Sequence, residues 1–347
     1  MMKSSFMATR RIALACAAGL AFGAFAPAAQ AQSDEAAFFK GKTVRIIVGF
    51  SPGGGYDAYA RMIAPYMAQR LGANVIVENM PGAGSMTAMN ALYAAEPDGL
   101  RMMLANGTAA GLSQIMDSPA ARFDLANYGH LGTVSASPWV WLVHKDTKEK
   151  TPADFIKSGR VINWSATGPI DGLSDGAQIT CAIAKLNCKI VMGYKGSNDA
   201  GLAVTRKEMD AVFVSDTSAN NYVRSNDLHA VANMSRNRSR FFPNLPTIYE
   251  AVKMTPDDEW LMDFHGTVQD LGRIMILPPK MAPARLNYLR KIMTDTLADP
   301  QLRSEGEKTQ RYIDYIDADK TMQNVKRAIT DVTPAQKKRV QTILSTN

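Results

Sequence analysis

The sequence predicts an α/β protein built from two units, each with a mostly parallel sheet. The first observation is a pattern of apolar strand, glycine-rich or small polar turn, and helix that recurs along residues 44–108. The second is a further alternation of strands and helices along residues 151–235. Strands that alternate with helices pack as an α/β layer around a parallel sheet. The chain has 347 residues, which is enough for two domains of ordinary size.

The first unit opens with the stretch from residue 44 to residue 72. VRIIVGF is a β-branched apolar run typical of a buried strand. SPGGGYD follows, and its glycines let another group approach the backbone. A helix then runs to Gly72, with apolar residues at helical spacing at Tyr59, Met62, Ile63, Tyr66 and Met67. A glycine turn that opens a helix is either an anion site, because it presents unpaired N–H groups, or a tight turn without a ligand.

The same pattern continues along the chain. A second strand enters PGAGSMT before a helix, and a third strand ends in Asn106. In parallel sheets, ligands bind beyond the carboxyl ends of the strands. We therefore expect the turns at residues 51–57, 81–87 and 106–108 to gather at one edge of the sheet.

The second unit follows an extended connection. Residues 130–146, which include Pro138, are predicted to leave the first unit, and a helix capped by Thr151 comes next. Strands are predicted at residues 161–168, 189–196, 210–216 and 229–235. A later strand at residues 273–279 precedes two or three predicted helices.

Residues 1–31 form a predicted export signal. It has a basic start, an apolar run from residue 12 to residue 25, and an Ala-x-Ala site that ends at Ala31, after which we expect cleavage. The apolar run is too short to span a membrane. A twin-arginine signal at residues 9–11 and lipidation at Cys16 are alternatives.

Cleavage would leave two cysteines, Cys181 and Cys188. Export implies an oxidising compartment, in which disulfides persist. The pair lies between a predicted helix and a predicted strand, so a local disulfide is expected; the alternative is two free buried thiols. No histidine lies near either cysteine in the sequence, so neither is a good candidate nucleophile.

Composition and motifs exclude several functions. The formal net charge is +7, part of it in the leader, and no clustered Lys/Arg run indicates nucleic-acid binding. The chain lacks the G-x-S-x-G, Walker A and G-x-G-x-x-G motifs, so we expect no cofactor and no enzyme. No later run is long and apolar enough to span a membrane, so we expect a soluble mature protein. The four histidines do not have the spacing of a zinc site and no metal is expected: His130, His144, His229 and His265.

Several motifs in order resemble a known family. Residues 42–61 match K-x-V-R-I-I-V-x-F-x-P-G-G-x-x-D-x-x-A-R, residues 75–85 match V-x-V-E-N-x-P-G-A-G-S, and residues 97–100 read P-D-G-L. The sequence is thereby similar to the solute-binding receptors of tripartite tricarboxylate transporters, often called Bug proteins. Further matches keep the family order at residues 194–196, 209–213 and 245–250.

The resemblance implies a type II periplasmic binding protein with two α/β lobes joined by extended hinge strands. Lobe 1 would comprise residues 32–137 and 240–347, and lobe 2 residues 138–239. The implied function is to capture a small di-, tri- or aromatic carboxylate in the periplasm for membrane transporter subunits. We expect a monomer.

The resemblance also implies the ligand-binding residues, and Asn106 joins them as the third strand end. The set is Gly53, Gly54, Gly55, Tyr56, Asp57, Ala83, Gly84, Ser85, Asn106, Thr167, Gly168 and Asp216. Ser85 and Thr167 hydroxyls can donate to a carboxylate. Tyr56 forms either an apolar wall of the site or a packing contact within its own lobe. Asp57 is expected to cap the helix, because its charge would repel an anion. Lys195 is either a counter-charge or an exposed turn lysine.

Two segments depart from the family pattern. Residues 167–175 replace T-G-x-G-[ST]-x-x-H and lack its histidine, and the tryptophan-glycine strand of the family is altered from residue 263 onward, where residues 263–266 read DFHG. These changes concern the ligand more than the fold. Two other functions fit the sequence less closely: a ligand-binding sensor that presents its closed form to a signalling partner, and a secreted α/β enzyme that acts on a small organic acid.

Overall fold

The structure, a computed structural model, describes residues 34–345 apart from Ser51, Asp171 and Lys195. The predicted leader and its cleavage after Ala31 therefore lie outside the described residues, as does the choice of role for Lys195. In the range that is described, no helix combines the length and the apolar character that a membrane span requires.

Strands and helices alternate through most of the chain. The described strands are β1 (Thr43–Val48), β2 (Asn74–Asn79), β3 (Arg101–Asn106), β4 (Gly129–Ser135), β5 (Trp139–His144), β6 (Ile162–Ser165), β7 (Cys188–Val191), β8 (Ala211–Ser215), β9 (Leu228–Asn233) and β10 (Arg273–Leu277). Residues 34–39 are helical, and between β1 and β9 the described helices are α1 (Gly55–Leu71), α2 (Met86–Tyr93), α3 (Gly107–Ile115), α4 (Pro152–Ser158), α5 (Gly172–Ala184), α6 (Ser197–Thr205) and α7 (Asp216–Arg224). The later ones are α8 (Ile248–Ala251), α9 (Pro256–Gln269), α10 (Pro283–Leu297), α11 (Pro300–Lys308), α12 (Ala318–Ile329) and α13 (Pro334–Leu344).

The strands form two sheets with the same internal pattern. The first has the order β2-β1-β3-β10-β4 and the second the order β7-β6-β8-β5-β9. The first three strands of each order are parallel, and the fourth is antiparallel to both of its neighbours. The predicted α/β class with mostly parallel sheets is confirmed.

The antiparallel strands are those that the chain enters when it crosses from one sheet to the other. Residues 136–138 join β4 to β5, and Trp139 at the start of β5 pairs with Ser215 at the end of β8. Arg273 at the start of β10 likewise pairs with Asn106 at the end of β3. Each crossing thus reaches the new sheet at the edge where its parallel strands end, so the incoming strand runs the opposite way.

The strand, loop and helix predicted for residues 44–72 are confirmed. Helix α1 ends at Gly72, which has φ 62° and donates its N–H to the Ala68 carbonyl. Thr151 caps α4 through a capping box, as its position predicts.

Residues 130–146 are extended and leave the first sheet, as predicted, and they form two paired strands, β4 and β5, in different sheets. Two other predicted features of the later chain are wrong. Four helices, α10 to α13, follow β10 in place of two or three. Residues 263–266, expected in a strand, lie within α9. Helix α9 begins with a Thr255 capping box, Pro256 in its first turn and three acidic residues, which are strong helix-start signals.

One contiguous apolar core connects the two sheets. It contains Met103 and Ile274 from the first sheet and Trp141 and Phe213 from the second. Helix α9 contacts both α3 and α5, and its apolar side chains, such as Leu261, belong to this core. The opposite faces of the two sheets are covered by separate apolar clusters. The sheets are therefore held together by shared packing as well as by the chain crossings.

The two cysteines are joined. Cys181 and Cys188 form a disulfide with an S–S distance of 2.00 Å and Cα atoms 6.2 Å apart. The bond ties the last turn of α5 to the first residue of β7. A loop this short gives about 2–3 kcal/mol in the chain-entropy view of disulfide stabilisation.

Candidate functional site

The first glycine loop connects β1 to α1. Gly53, Gly54 and Gly55 are exposed, and none of the described side chains caps the start of α1. Gly53 has φ 85°, a conformation that favours glycine. No described heavy atom lies within 4 Å of the position that a Cβ would take at Gly53. The loop is therefore open at Gly53, whereas at Gly55, the first residue of α1, the Cβ position lies 3.6 Å from Arg273 Nη2.

Asp57 holds this loop in place. Its carboxylate accepts the Gly53 N–H at 2.9 Å and pairs with Arg61 Nε, also at 2.9 Å. The bond from Arg61 is the main cause that lowers the pKa of Asp57 to about 2. Asp57 is buried and lies within the first turn of α1, so its charge is compensated inside lobe 1.

Two tyrosines follow on α1. The ring of Tyr56 packs 4.8 Å from that of Phe50, and burial raises the pKa of Tyr56 to about 12, an effect that Arg273 opposes. Tyr59 is buried and donates its hydroxyl to the Tyr312 carbonyl at 2.9 Å. Tyr56 thus packs within its own lobe, and the residue as a whole is partly buried.

The second glycine loop packs against the first. Ala83, Gly84 and Ser85 all have positive φ, at 46°, 63° and 81°. Ser85 is fully buried, and a Cβ added to Gly49 would lie 2.0 Å from Ser85 Oγ. The Ser85 hydroxyl therefore contacts the first loop, where Oγ has no hydrogen-bond partner among the described residues. The Cβ position of Gly84, by contrast, has no described heavy atom within 4 Å.

The third strand end is used for helix capping. Asn106 accepts the Ala109 N–H at 3.1 Å through its side-chain oxygen and so caps α3. The next residue, Gly107, donates its N–H to the Gly272 carbonyl at 2.9 Å. The ends of β1, β2 and β3 come together at one edge of the first sheet, because these strands are parallel neighbours.

Arg273 lies at the same edge of the first sheet. It was not among the ligand-binding residues predicted from the sequence. As the first residue of β10, it pairs with Asn106 on one side and with Ser135 on the other. Its Nη1 donates to Ser135 Oγ at 3.2 Å, and its guanidinium carbon lies 4.7 Å from the centre of the Tyr59 ring. The available signal was an arginine that directly follows a glycine at the start of the otherwise apolar run RIMIL.

The second sheet contributes an acidic side chain at its own edge. Asp216 follows β8 and is buried; it accepts the Ser239 hydroxyl at 2.7 Å and donates its N–H to the Pro138 carbonyl at 2.8 Å. Burial raises the pKa of Asp216. Thr167 and Gly168 follow β6 at the same edge, and the Gly168 Cβ position has no described heavy atom within 4 Å.

Trp139 covers the start of α5 at this edge. A Cβ added to Gly172 would lie 2.3 Å from the Trp139 ring, so the glycine allows close packing. The ring stays partly exposed. Trp139 and Arg273 occupy equivalent positions in the two sheets. Each is the first residue of the antiparallel strand that the chain enters after crossing from the other sheet.

A polar bridge connects segments that are attached to different sheets. Arg240 pairs with Asp314 at 2.5 Å. The residue before Arg240, Ser239, is bonded to Asp216 of the second lobe. Asp314 is two residues from Ile316, whose backbone pairs with Thr133 in β4 of the first sheet. The bridge thus links the two lobes through their loops.

Two cavities are described on the first lobe. One, of about 500 Å³, is lined by α2 and its neighbours and includes Ala83 of the predicted ligand residues. The other, of about 360 Å³, is lined by residues of β1, β2 and β3, such as Ile47, Glu78 and Arg101. Among the residues that the structure describes, no group of three or more His, Cys, Asp or Glu side chains is arranged to hold a metal.

The sequence profile of the tripartite tricarboxylate transporter family receptor, TctC, matches residues 59–343. The chain belongs to this receptor family. A UPF0065 protein of Bordetella pertussis is 28% identical over 224 residues, which cover 63% of this chain and 69% of that protein. The protein BugT of the same organism is 26% identical over 219 residues, or 61% of this chain and 66% of BugT.

Solved structures share the fold of the receptor. MatC from Rhodopseudomonas palustris, with bound malate, has a TM-score of 0.69 at 19% identity and covers 88% of this chain and 99% of its own. The periplasmic binding protein BugD has a TM-score of 0.69 at 20% identity over 87% of this chain and 97% of BugD. The predicted family and the two-lobe α/β fold of periplasmic binding proteins are both confirmed. The family is one of solute-binding receptors, which favours a receptor over the sensor and the secreted enzyme.

Proposed function

We propose that this receptor captures a small carboxylate in the periplasm and presents it to the membrane subunits of a tripartite transporter. The observation that carries the proposal is the first glycine loop, where Gly53, Gly54 and Gly55 are exposed and no described heavy atom lies within 4 Å of the Gly53 Cβ position. Main-chain N–H groups at a helix start bind carboxylates well, because donors and dipole act together. MatC with malate and a second R. palustris protein with adipate support this ligand class.

The ligand would lie between the facing edges of the two sheets. On the first lobe we propose main-chain N–H contacts from Gly54, Gly55 and Gly84, since the Gly53 N–H already bonds Asp57. On the second lobe we propose Thr167 and Gly168. Asp57 and Asn106 would hold loops and helix starts in place, since their side chains are already bonded within lobe 1.

The lobes would divide where the chain changes sheets. We keep residues 32–137 and 240–347 as lobe 1 and residues 138–239 as lobe 2. The change from β4 to β5 supports the first limit, and the bond between Ser239 and Asp216 supports a second limit near Arg240. We further propose that the mature chain begins after Ala31 and works as a monomer.

Thermal melting tests the function. We expect the melting temperature to rise with at least one of malate, adipate, citrate and benzoate, but not with the matching neutral amide. A ligand at 100 times its Kd adds about 2.7 kcal/mol to the free energy of unfolding, since it binds the folded state alone. A flat response to every carboxylate would contradict the proposal.

A pair of glycine variants locates the site. Gly168 and Gly266 both have open Cβ positions and neither has a positive φ. Gly168→Ala would add a methyl group at the proposed site, and Gly266→Ala would add the same group in the middle of α9. We expect Gly168→Ala to weaken carboxylate binding and Gly266→Ala to leave it unchanged. Equal affinity in both variants would place the ligand elsewhere.

A further inference from the structure

The side chain of Arg273 is held at the edge of the first sheet by aromatic rings. Its guanidinium carbon lies 5.1 Å from the centre of the Tyr56 ring and 4.7 Å from that of Tyr59. The ring faces attract a cation and limit the rotation of its plane. Nη2 lies 3.6 Å from the Cβ position of Gly55, the first residue of α1. The guanidinium is therefore fixed beside the uncapped start of α1.

The hydrogen-bonding capacity of this guanidinium is largely unused. An arginine side chain carries five N–H donors. Within the described residues, Ser135 Oγ is the acceptor that Arg273 reaches, at 3.2 Å. Nε is buried and has no partner among the described residues. A buried donor without an acceptor costs free energy, so the site is incomplete as it stands.

The charge of Arg273 is also uncompensated. Neighbouring arginines have acid partners: Arg61 pairs with Asp57, and Arg240 pairs with Asp314. No ion pair joins Arg273 to a carboxylate in the described part of the chain. Desolvating a charge is costly unless an opposite charge approaches it. An anionic ligand would supply both the acceptors and the charge.

We propose that Arg273 is the charged anchor of the receptor, which binds one carboxylate of the ligand together with the first N–H groups of α1. This inference rests on the proposed function and adds to it a specificity-determining residue. A planar guanidinium can donate two parallel bonds to a carboxylate, which a lysine cannot do. The receptor should therefore require an ionised carboxylate at this end of the ligand and reject the neutral amide.

Three variants test the anchor by calorimetric titration with malate, adipate, citrate and benzoate. Arg273→Met removes the charge. Arg273→Lys keeps the charge but removes the planar guanidinium and its pair of parallel donors. Arg101→Met is the matched control, because Arg101 is exposed and begins β3 at the opposite edge of the same sheet. Melting without ligand shows whether each variant is folded.

We expect Arg273→Met to weaken carboxylate binding about 10- to 100-fold, as the loss of a charged hydrogen-bonded contact predicts. Arg273→Lys should recover part of the affinity, and Arg101→Met should bind like the wild type. Equal affinity in the wild type and in folded Arg273→Met would overturn the anchor while leaving the receptor function intact. An equal loss in Arg101→Met would also overturn it, since net charge would then explain the effect.

The anchor can be separated from the receptor function if no carboxylate in the panel binds. Sulfate, a small oxyanion with similar acceptors, is then the probe. A rise in melting temperature with sulfate that is present in the wild type and in Arg101→Met but lost in Arg273→Met would support the anion anchor. The same rise in all three proteins would overturn it.

Discussion

Asp57 is the residue on which the first glycine loop depends. Its carboxylate is buried, and it bonds both the Gly53 N–H and the Arg61 guanidinium. A loop of consecutive glycines has high conformational entropy when unfolded, so its ordered shape needs such a fixed contact. The negative charge of Asp57 would repel an anionic ligand, but its carboxylate fixes the backbone loop that would bind that ligand.

We predict that Asp57→Asn lowers the free energy of unfolding by about 1–2 kcal/mol at neutral pH. The pKa of Asp57 is lowered from 3.8 to about 2 in the folded protein. The carboxylate therefore stabilises the fold above the higher value, and the stabilisation is lost as pH falls from 3.8 towards 2. Urea unfolding of both proteins over this range measures the effect.

Asp295→Asn is the control for this prediction. Asp295 is an exposed partner of Lys291 within α10, and exposed pairs contribute little. A difference between wild type and Asp57→Asn that stays constant from neutral to acidic pH would show that the carboxylate charge is not what holds the loop.

Two elements, the first and second glycine loops, fit together through one close contact. The Cβ position at Gly49 lies 2.0 Å from Ser85 Oγ and 2.9 Å from Ser85 Cα. The contact includes backbone, so neither loop can yield by a simple side-chain rotation. The relative position of the two loops, and hence of their backbone N–H groups, depends on the absence of a side chain at Gly49.

We predict that Gly49→Ala destabilises the protein by about 1–3 kcal/mol, as overpacking does. Ser85→Gly removes the side chain that clashes, and glycine readily adopts the φ of 81° found at Ser85. The double variant should therefore recover much of the loss. Denaturant unfolding of the four proteins gives the coupling energy, and additive effects would contradict a direct contact.

The glycine loops and their helices could be predicted from the sequence, because they depend on local signals. A β-branched run, consecutive glycines and a helical repeat determine β1 and α1 with no information from elsewhere in the chain. Arg273 could not be predicted as a site residue. Its place beside Tyr59 depends on strand pairing across the whole first sheet, which no local pattern encodes. Helix α9 has clear start signals, yet the family resemblance suggested a strand there and outweighed them.

At the scale of the molecule, the two lobes share a core. The apolar cluster that includes Met103 of the first sheet and Trp141 of the second also contains residues of α9, α12 and α13. Opening the lobes widely would expose part of this surface. We therefore expect only limited motion between the lobes.

We predict that the protein unfolds in a single transition despite its two sheets. A shared core couples the lobes, so neither can lose its packing alone. Calorimetric and van't Hoff enthalpies should agree, and far-ultraviolet circular dichroism should follow the same curve. Two separated heat-absorption peaks would show that the lobes unfold independently.

The bridge between Arg240 and Asp314 gives a second prediction at this scale. Both side chains are about half exposed, so the pair contributes little to folding but can favour the closed arrangement. Arg240→Gln should weaken carboxylate binding by up to about fivefold, equivalent to about 1 kcal/mol. Lys207→Gln breaks an exposed pair within the second lobe and should not change the affinity. A similar loss in both variants would argue against a role in closure.

The positions of the tryptophans provide an intrinsic fluorescence probe of ligand binding. All four, Trp139, Trp141, Trp164 and Trp260, belong to the second sheet or to α9. Of the four, Trp139 alone begins a strand at the edge where the parallel strands of the second sheet end, and this residue is partly exposed. Fluorescence should therefore change when a solute displaces water there. Trp139→Phe should abolish this signal and Trp260→Phe should keep it, so capture could be followed without a dye.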